Sequence, residues 1–221
     1  MYDVTATGEL LIDFTRNGLS EQNNRIYEAN PGGAPCNVLA MLGKLGYKTA
    51  FIGKVGEDEF GKLLKNTITE QNIDAAGLVL DPNAKTTLAF VDNDETGDRS
   101  FSFYRKPGAD MMLREDEVNY ELIDNCRIFH FGSLSMTDEP VRSATYAMID
   151  YAKKKNKIIS FDPNLRPPLW ESEELAAKQI WYGIEQCDIL KIADNEIEWL
   201  TGTDDYDKGI EIIRQRTHAK L

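Results

Sequence analysis

Short apolar runs at residues 49–52, 128–131, 158–161 and 189–192 alternate with helical patterns at 35–45, 59–71, 139–155, 173–186, 195–200 and 208–216. Such runs cannot bury both faces alone. Joining them through helices gives right-handed crossovers and strands side by side in a parallel sheet covered above and below. An opening run at 4–11 reads as one more buried strand. The expected fold is α/β, three layers deep, with a mostly parallel central sheet.

One region breaks the alternation. TTLAFVD (86–92) and RSFSFYR (99–105) each alternate polar and apolar residues, and the turn-forming NDETGD (93–98) between them predicts a hairpin with no crossover helix. The polar stretch at 12–30 shows no helical period and is expected to pair beside that hairpin, making a small sheet over the glycine-rich segment that follows. Alternation by itself shows only one buried face, so a solvated hairpin without a ligand role remains open.

Twenty-five Lys and Arg stand against 37 Asp and Glu, for a net charge of −12 over 221 residues. The one basic cluster, at 153–155, complements a helix C-terminus, so nucleic acid and anionic membranes are not expected partners. Three cysteines, Cys36, Cys126 and Cys187, stand far apart without CxxC spacing, which fits a reducing compartment and neither a disulfide framework nor a zinc site. There is no apolar run of 18 residues, and MYDVTATGELLIDF has no basic start before a long apolar segment, so a soluble, cytoplasmic protein is expected.

Several residues could carry chemistry. Gly32 and Gly33 allow the backbone to approach a ligand, Pro35 suits a helix start, and Asn37, which reads as buried, falls in the first turn. An ordinary loop-to-helix cap would look the same. Asp13, placed at a strand end in GELLIDF, can accept two hydroxyl hydrogen bonds at the edge where parallel sheets hold ligands, or can simply be solvated. Arg105, in FYRKPGAD, could reach over a ligand with forked donors or pair at the surface with Asp110, and Lys106 is a weaker choice. In FDPNLRPPLW a strand ends at Asp162, two prolines fix the exit, and Asn164 and Arg166 project from the loop, while Trp170 reads as packing. Asn195 and Glu198, three apart, share a helix face suited to a phosphate and a hydrated cation, although acids at a helix start need no such role. His130 and His218 suggest no site, and no GxGxxG follows the first strand, which argues against a dinucleotide-binding oxidoreductase.

Taken in order, GGAPCN, a helix ending in LGKLG, and GKVGEDEFG resemble the amino-terminal signature of the PfkB, or ribokinase-like, carbohydrate kinases, with Leu39 where that signature has a small residue. FYRKPGADM and DPNLRPPLW resemble fructokinases, and the latter equally 2-keto-3-deoxygluconate kinases. The resemblance implies a ribokinase-like fold over residues 1–221, with lid segments at about 12–30 and 85–106. It implies ATP-dependent phosphorylation of a sugar primary hydroxyl, fructose first, with 2-keto-3-deoxygluconate as the alternative. A catalytically inactive sugar-binding relative or fragment is the further alternative. Asp13, Gly32, Gly33, Asn37, Arg105, Asn164 and Arg166 would bind substrate, and Arg166 would also support the transition state. Asn195 would face ATP, and Glu198 would hold Mg²⁺ through water. A monovalent cation such as K⁺ and a lid-mediated homodimer are further implications. The family's Gly-Ala-Gly-Asp motif, with its catalytic Asp, is not found among these residues. The chain is therefore expected to match only the amino-terminal part of the family, and a polypeptide ending at Leu221 to lack kinase activity.

Overall fold

The computed structural model describes residues 1–93 and 99–219. Its strands are β1 (Tyr2–Thr7), β2 (Leu11–Leu19), β3 (Arg25–Gly32), β4 (Thr49–Gly56), β5 (Ile73–Asp81), β6 (Leu88–Asn93), β7 (Arg99–Tyr104), β8 (Cys126–Gly132), β9 (Ile158–Asp162) and β10 (Ile189–Leu190). Its α-helices are α1 (Ala34–Lys44), α2 (Glu59–Glu70), α3 (Glu121–Asp124), α4 (Val141–Lys154), α5 (Glu173–Gln186), α6 (Asp194–Thr201) and α7 (Tyr206–Arg214).

Six of the described strands form one sheet in the order β10-β9-β8-β1-β4-β5, and every pairing in it is parallel. Side chains alternate across it as the pleat requires. On β4, Ala50 and Ile52 join Met148 of α4 and Ile180 of α5, while Phe51 and Val55 between them join Leu39 of α1 and Leu64 of α2. Helices therefore cover both faces, as expected. Phe51, Phe129, Phe131 and Phe161 are fully buried, each contributing about 1.5–3 kcal/mol through area removed from water. Leu39 is also fully buried and fills the layer between α1 and the sheet.

The small sheet runs β3-β2-β6-β7, with β2 parallel to β6 and the other pairings antiparallel. Both expected components, the hairpin and the 12–30 stretch, are in it. Of the turn expected at 93–98, all but Asn93 lies outside the described residues.

Three expectations change. The run at 4–11 is not one strand: β1 stops at Thr7, Gly8 turns with φ +152, and Leu11 already belongs to the small sheet. Leu10 and Leu11 are buried, 2% and 5% exposed, so the apolar run continues across the turn and hides it. Asp13 accordingly lies inside β2, opposite Asn30, and not at a core strand end. β4 likewise continues through Gly53 to Gly56 before α2 begins, with Asp58 as its cap. The run at 189–192 supplies only the two-residue β10.

Parallel strands place all their carboxyl ends along one edge. The segments leaving β1, β8 and β9 there carry Glu9, Leu134 and Asn164, and the small sheet brings Asp13 to the same place.

Candidate active site

A hollow of about 340 Å³ opens at that edge. Into it converge Asp13 from β2, Gly33 and Asn37 from the start of α1, and Asn164 and Arg166 from the loop after β9, residues separated by up to 153 positions in the chain. Phe103 of β7 also lines it, so the small sheet forms part of the wall.

Local chemistry places each group. Gly33 has φ +127, and a Cβ there would run into the carbonyl oxygen of Glu9, so only glycine lets the chain enter α1 so close to the β1 exit. Gly32 lines a neighbouring hollow instead; a Cβ on it would strike the Asp13 carboxylate, so it acts by leaving Asp13 its room. Asn37 is exposed rather than buried: its N–H closes the first helical bond to Gly33 at 3.0 Å, and its side chain lies at the mouth. Burial pushes the Asp13 carboxyl up, and the Arg166 guanidinium beside it pulls it back. Asn164 has φ +44, which its short polar side chain tolerates, and its N–H donates to the Asp162 carboxylate at 3.1 Å. Arg166 donates from Nη1 to the Leu165 carbonyl at 3.0 Å and remains half-buried at the wall. A polyhydroxylated molecule would thus meet a carboxylate, two amides and a cation.

Arg105 differs from both expectations for it. It pairs with Asp110, Nε to Oδ2 at 2.7 Å, but is only 3% exposed and is not part of the hollow's lining. Its Nη1 donates to Thr137 Oγ1 at 2.9 Å and its Nη2 to the Leu134 carbonyl at 2.8 Å. With these donors engaged, it fastens the segment after β7 to the segment after β8. Lys106 is exposed.

Asn195 and Glu198 do share a face, lining with Trp199 and Asp204 a third hollow of about 530 Å³ beside α6. That hollow is separate from the first. No described cluster of three or more His, Cys, Asp or Glu could cage a metal, so a cation here would need water or phosphate oxygens beside the Glu198 and Asp204 carboxylates.

Three acids escaped the sequence reading. Glu9 is buried against the first hollow and its Oε1 accepts from the Ala34 N–H at 2.7 Å. Glu196 accepts from the N–H groups of Leu165 at 2.7 Å and Ala193 at 2.8 Å, tying the Arg166 loop to the start of α6. Asp58 caps α2 through the Gly61 N–H at 2.9 Å and also accepts from Thr86 N–H and Oγ1, at 2.9 and 2.7 Å, anchoring the approach to β6. Burial raises the Asp58 carboxyl, but these hydrogen bonds outweigh it and hold the group below the usual range. The available signal was positional: an acid at a helix start, or just past a buried strand and a glycine.

The model of the pfkB family carbohydrate kinases matches residues 1–221. A probable chloroplastic fructokinase-6 of Arabidopsis thaliana is 46% identical over 221 residues, covering 99% of this chain and 57% of that protein. The chain thus spans little more than half that relative's length. Among solved structures, fructokinase from Xylella fastidiosa with bound ATP has TM-score 0.89 and 35% identity, covering 99% of this chain and 67% of that one. A double mutant of Vibrio cholerae fructokinase, in its fructose, ADP and potassium ion bound form, has TM-score 0.86 and 32% identity, covering 97% and 67%. The fold is ribokinase-like, and the chain belongs to the pfkB family of carbohydrate kinases.

Proposed function

We propose that the protein containing this chain transfers the γ-phosphoryl group of ATP to a primary hydroxyl of a sugar, fructose first among them. The observation that carries this is the convergence of Asp13, Gly33, Asn37, Asn164 and Arg166 on one hollow at the carboxyl edge of the sheet. Asp13 accepts sugar hydroxyls, Asn37 and Asn164 offer both donor and acceptor, and Arg166 supports the charge that moves with the phosphoryl group. The small sheet acts as the lid, with Arg105 holding it through Asp110 and Thr137 rather than touching sugar. Asn195 faces the nucleotide phosphates and Glu198 holds Mg²⁺ through water. The fructose, ADP and potassium in the Vibrio structure, and the ATP in the Xylella one, support this choice of ligands and a bound monovalent cation such as K⁺.

No residue of the chain is assigned the role of base toward the sugar hydroxyl, and we propose that residues 1–221 alone bind sugar without phosphorylating it. No described helix is long and apolar enough to cross a membrane. The three free, buried cysteines fit a reducing compartment such as the cytoplasm, and the small sheet, which exposes Leu19 and Ile26, is the expected homodimer face.

The test is ADP release by the complete gene product with Mg-ATP and either fructose or 2-keto-3-deoxygluconate. Fructose-dependent turnover that stops on chelation and resumes with Mg²⁺ is expected. Turnover of the keto acid alone would replace the substrate, and turnover of neither would overturn the reading.

A further inference from the structure

Glu9 is a buried acidic side chain of the first hollow to which sugar recognition gives no role. It is 4% exposed, and its carboxyl is split in function. Oε1 receives the Ala34 N–H, which belongs to the first residue of α1. Oε2 is fully covered and has no hydrogen-bond partner among the described residues. The next residues along α1's entry are Gly33, whose approach is limited by Glu9's own carbonyl, and Asn37, whose N–H bonds Gly33. One carboxyl therefore holds the turn that presents two of the sugar-facing residues.

We propose that Glu9 is a positioning residue of the sugar site, holding the first turn of α1, with Gly33 and Asn37, in a way that depends on whether its carboxyl carries a proton. The inference rests on the sugar-binding reading of the hollow.

The physical reason lies in the two forms of the carboxyl. As an anion it makes a charge-assisted hydrogen bond to Ala34 and sits at the positive end of the α1 dipole, so it pins the turn firmly. As a neutral acid it holds Ala34 more weakly and carries a hydroxyl on the oxygen that lacks a partner. The surroundings keep both forms accessible near neutral pH. Burial pushes the carboxyl up to about 7, the Ala34 N–H and the Arg105 guanidinium pull it down, and Asp110 pushes it up. The other ionisable groups nearby are the Cys36 thiol on α1, itself pushed up by burial and by Glu9, and Asp13, Asp162 and Arg166 around the hollow. Sugar that needs the ordered turn binds the anionic form better, and by linkage sugar binding expels a proton.

Fructose affinity of the purified protein, measured by calorimetry from pH 6 to pH 8.5, is expected to tighten about five- to tenfold, the size of a helix-end charge interaction. Glu9→Gln keeps an acceptor for Ala34 but cannot ionise, so its affinity should be flat over this range. Glu9→Leu should bind more weakly than Glu9→Gln at every pH. A flat wild-type profile, or a profile that survives in Glu9→Gln, overturns the proposal while leaving the sugar site intact. Absence of sugar binding by the wild type overturns both. Should Glu9→Gln fail to fold, carbon-13 carboxyl spectra of the wild type decide. A glutamate titrating near pH 7, with a midpoint that falls when fructose is added, supports the proposal. A midpoint outside that range, or one that fructose does not move, sinks it.

Discussion

Lys54 and Glu9 are equally hidden, 2% and 4% exposed, yet their surroundings treat charge in opposite ways. The Lys54 ammonium on β4 has three kinds of acceptor: Asp81 Oδ2 at 2.9 Å, the Glu117 carboxylate at 2.8 Å and the Met112 carbonyl at 3.1 Å. Burial raises the Asp81 carboxyl, but the hydrogen bond from Lys54 and the N–H groups of Ala84 and Asn83 overcome it and bring it down to about 2. Glu9 accepts from the Ala34 N–H on Oε1, its Oε2 has no partner among the described residues, and burial raises its carboxyl to about 7. The difference teaches what each region is for. Where the chain holds β4, β5 and the 115–117 turn together, the buried charges are matched by partners; beside the first hollow, one buried oxygen is left without a partner among the described residues, at a cost in stability.

The strongest test of that contrast removes the saturated cation. Lys54→Met leaves the buried Asp81 and the half-buried Glu117 without it and should cost about 3–5 kcal/mol in urea unfolding. A loss below about 1 kcal/mol would mean the cluster is not saturated in the sense argued.

Stability against pH should then separate the two acids. Asp81, with a depressed folded pKa, contributes stability that is present above its ordinary 3.8 and lost as pH falls toward about 2. Glu9 is raised from 4.5 to about 7, so the folded chain holds a proton the unfolded chain has released, and stability falls as pH rises between those values, by roughly 3 kcal/mol at most. Thermal scans of wild type and Glu9→Gln from pH 4 to pH 8 read this directly. The decline should flatten in the variant, and an unchanged decline would assign it to another group.

At the hollow itself, Arg166→Ala should lower kcat of the complete kinase about a hundredfold, as loss of one transition-state donor does. It should also raise the Asp13 pKa further, since Arg166 is what counters burial there. A change confined to KM for sugar would make Arg166 a binding group only. The smallest effect belongs to the scaffold: Asp58→Ala removes a helix cap and two bonds to Thr86 and should cost about 1–2 kcal/mol by denaturant midpoint.

Much of this was legible in the chain. The strand-helix alternation named the three layers because period and length are local properties, and α5 falls on the expected Glu173–Gln186, capped by Ser172 on the Leu175 N–H at 3.1 Å. Gly33, Asn37, Asn164 and Arg166 were found by residue type and neighbourhood, and the fold does bring them to one hollow, while Gly32 lines the one beside it. The β1–β2 boundary was not legible, because Leu10 in the turn and Leu11 on β2 are both buried and continue the apolar run across it. β5 passed unnoticed for a related reason, its IDAAGLVLD diluting the apolar pattern with alanine and glycine.

The sequence by itself determined most of the strands and helices, and which residue types could meet a polyol and a phosphate, since both follow from neighbours within a few positions. Only the tertiary structure decided how those groups are used. It turned Arg105 inward onto Asp110, placed Asn195 and Glu198 in a hollow apart from the first, and put Glu9 and Glu196 on the backbone N–H groups that hold the site loops. A carboxylate's role depends on its burial and on which donors reach it from distant parts of the chain, and neither is set until the sheet assembles.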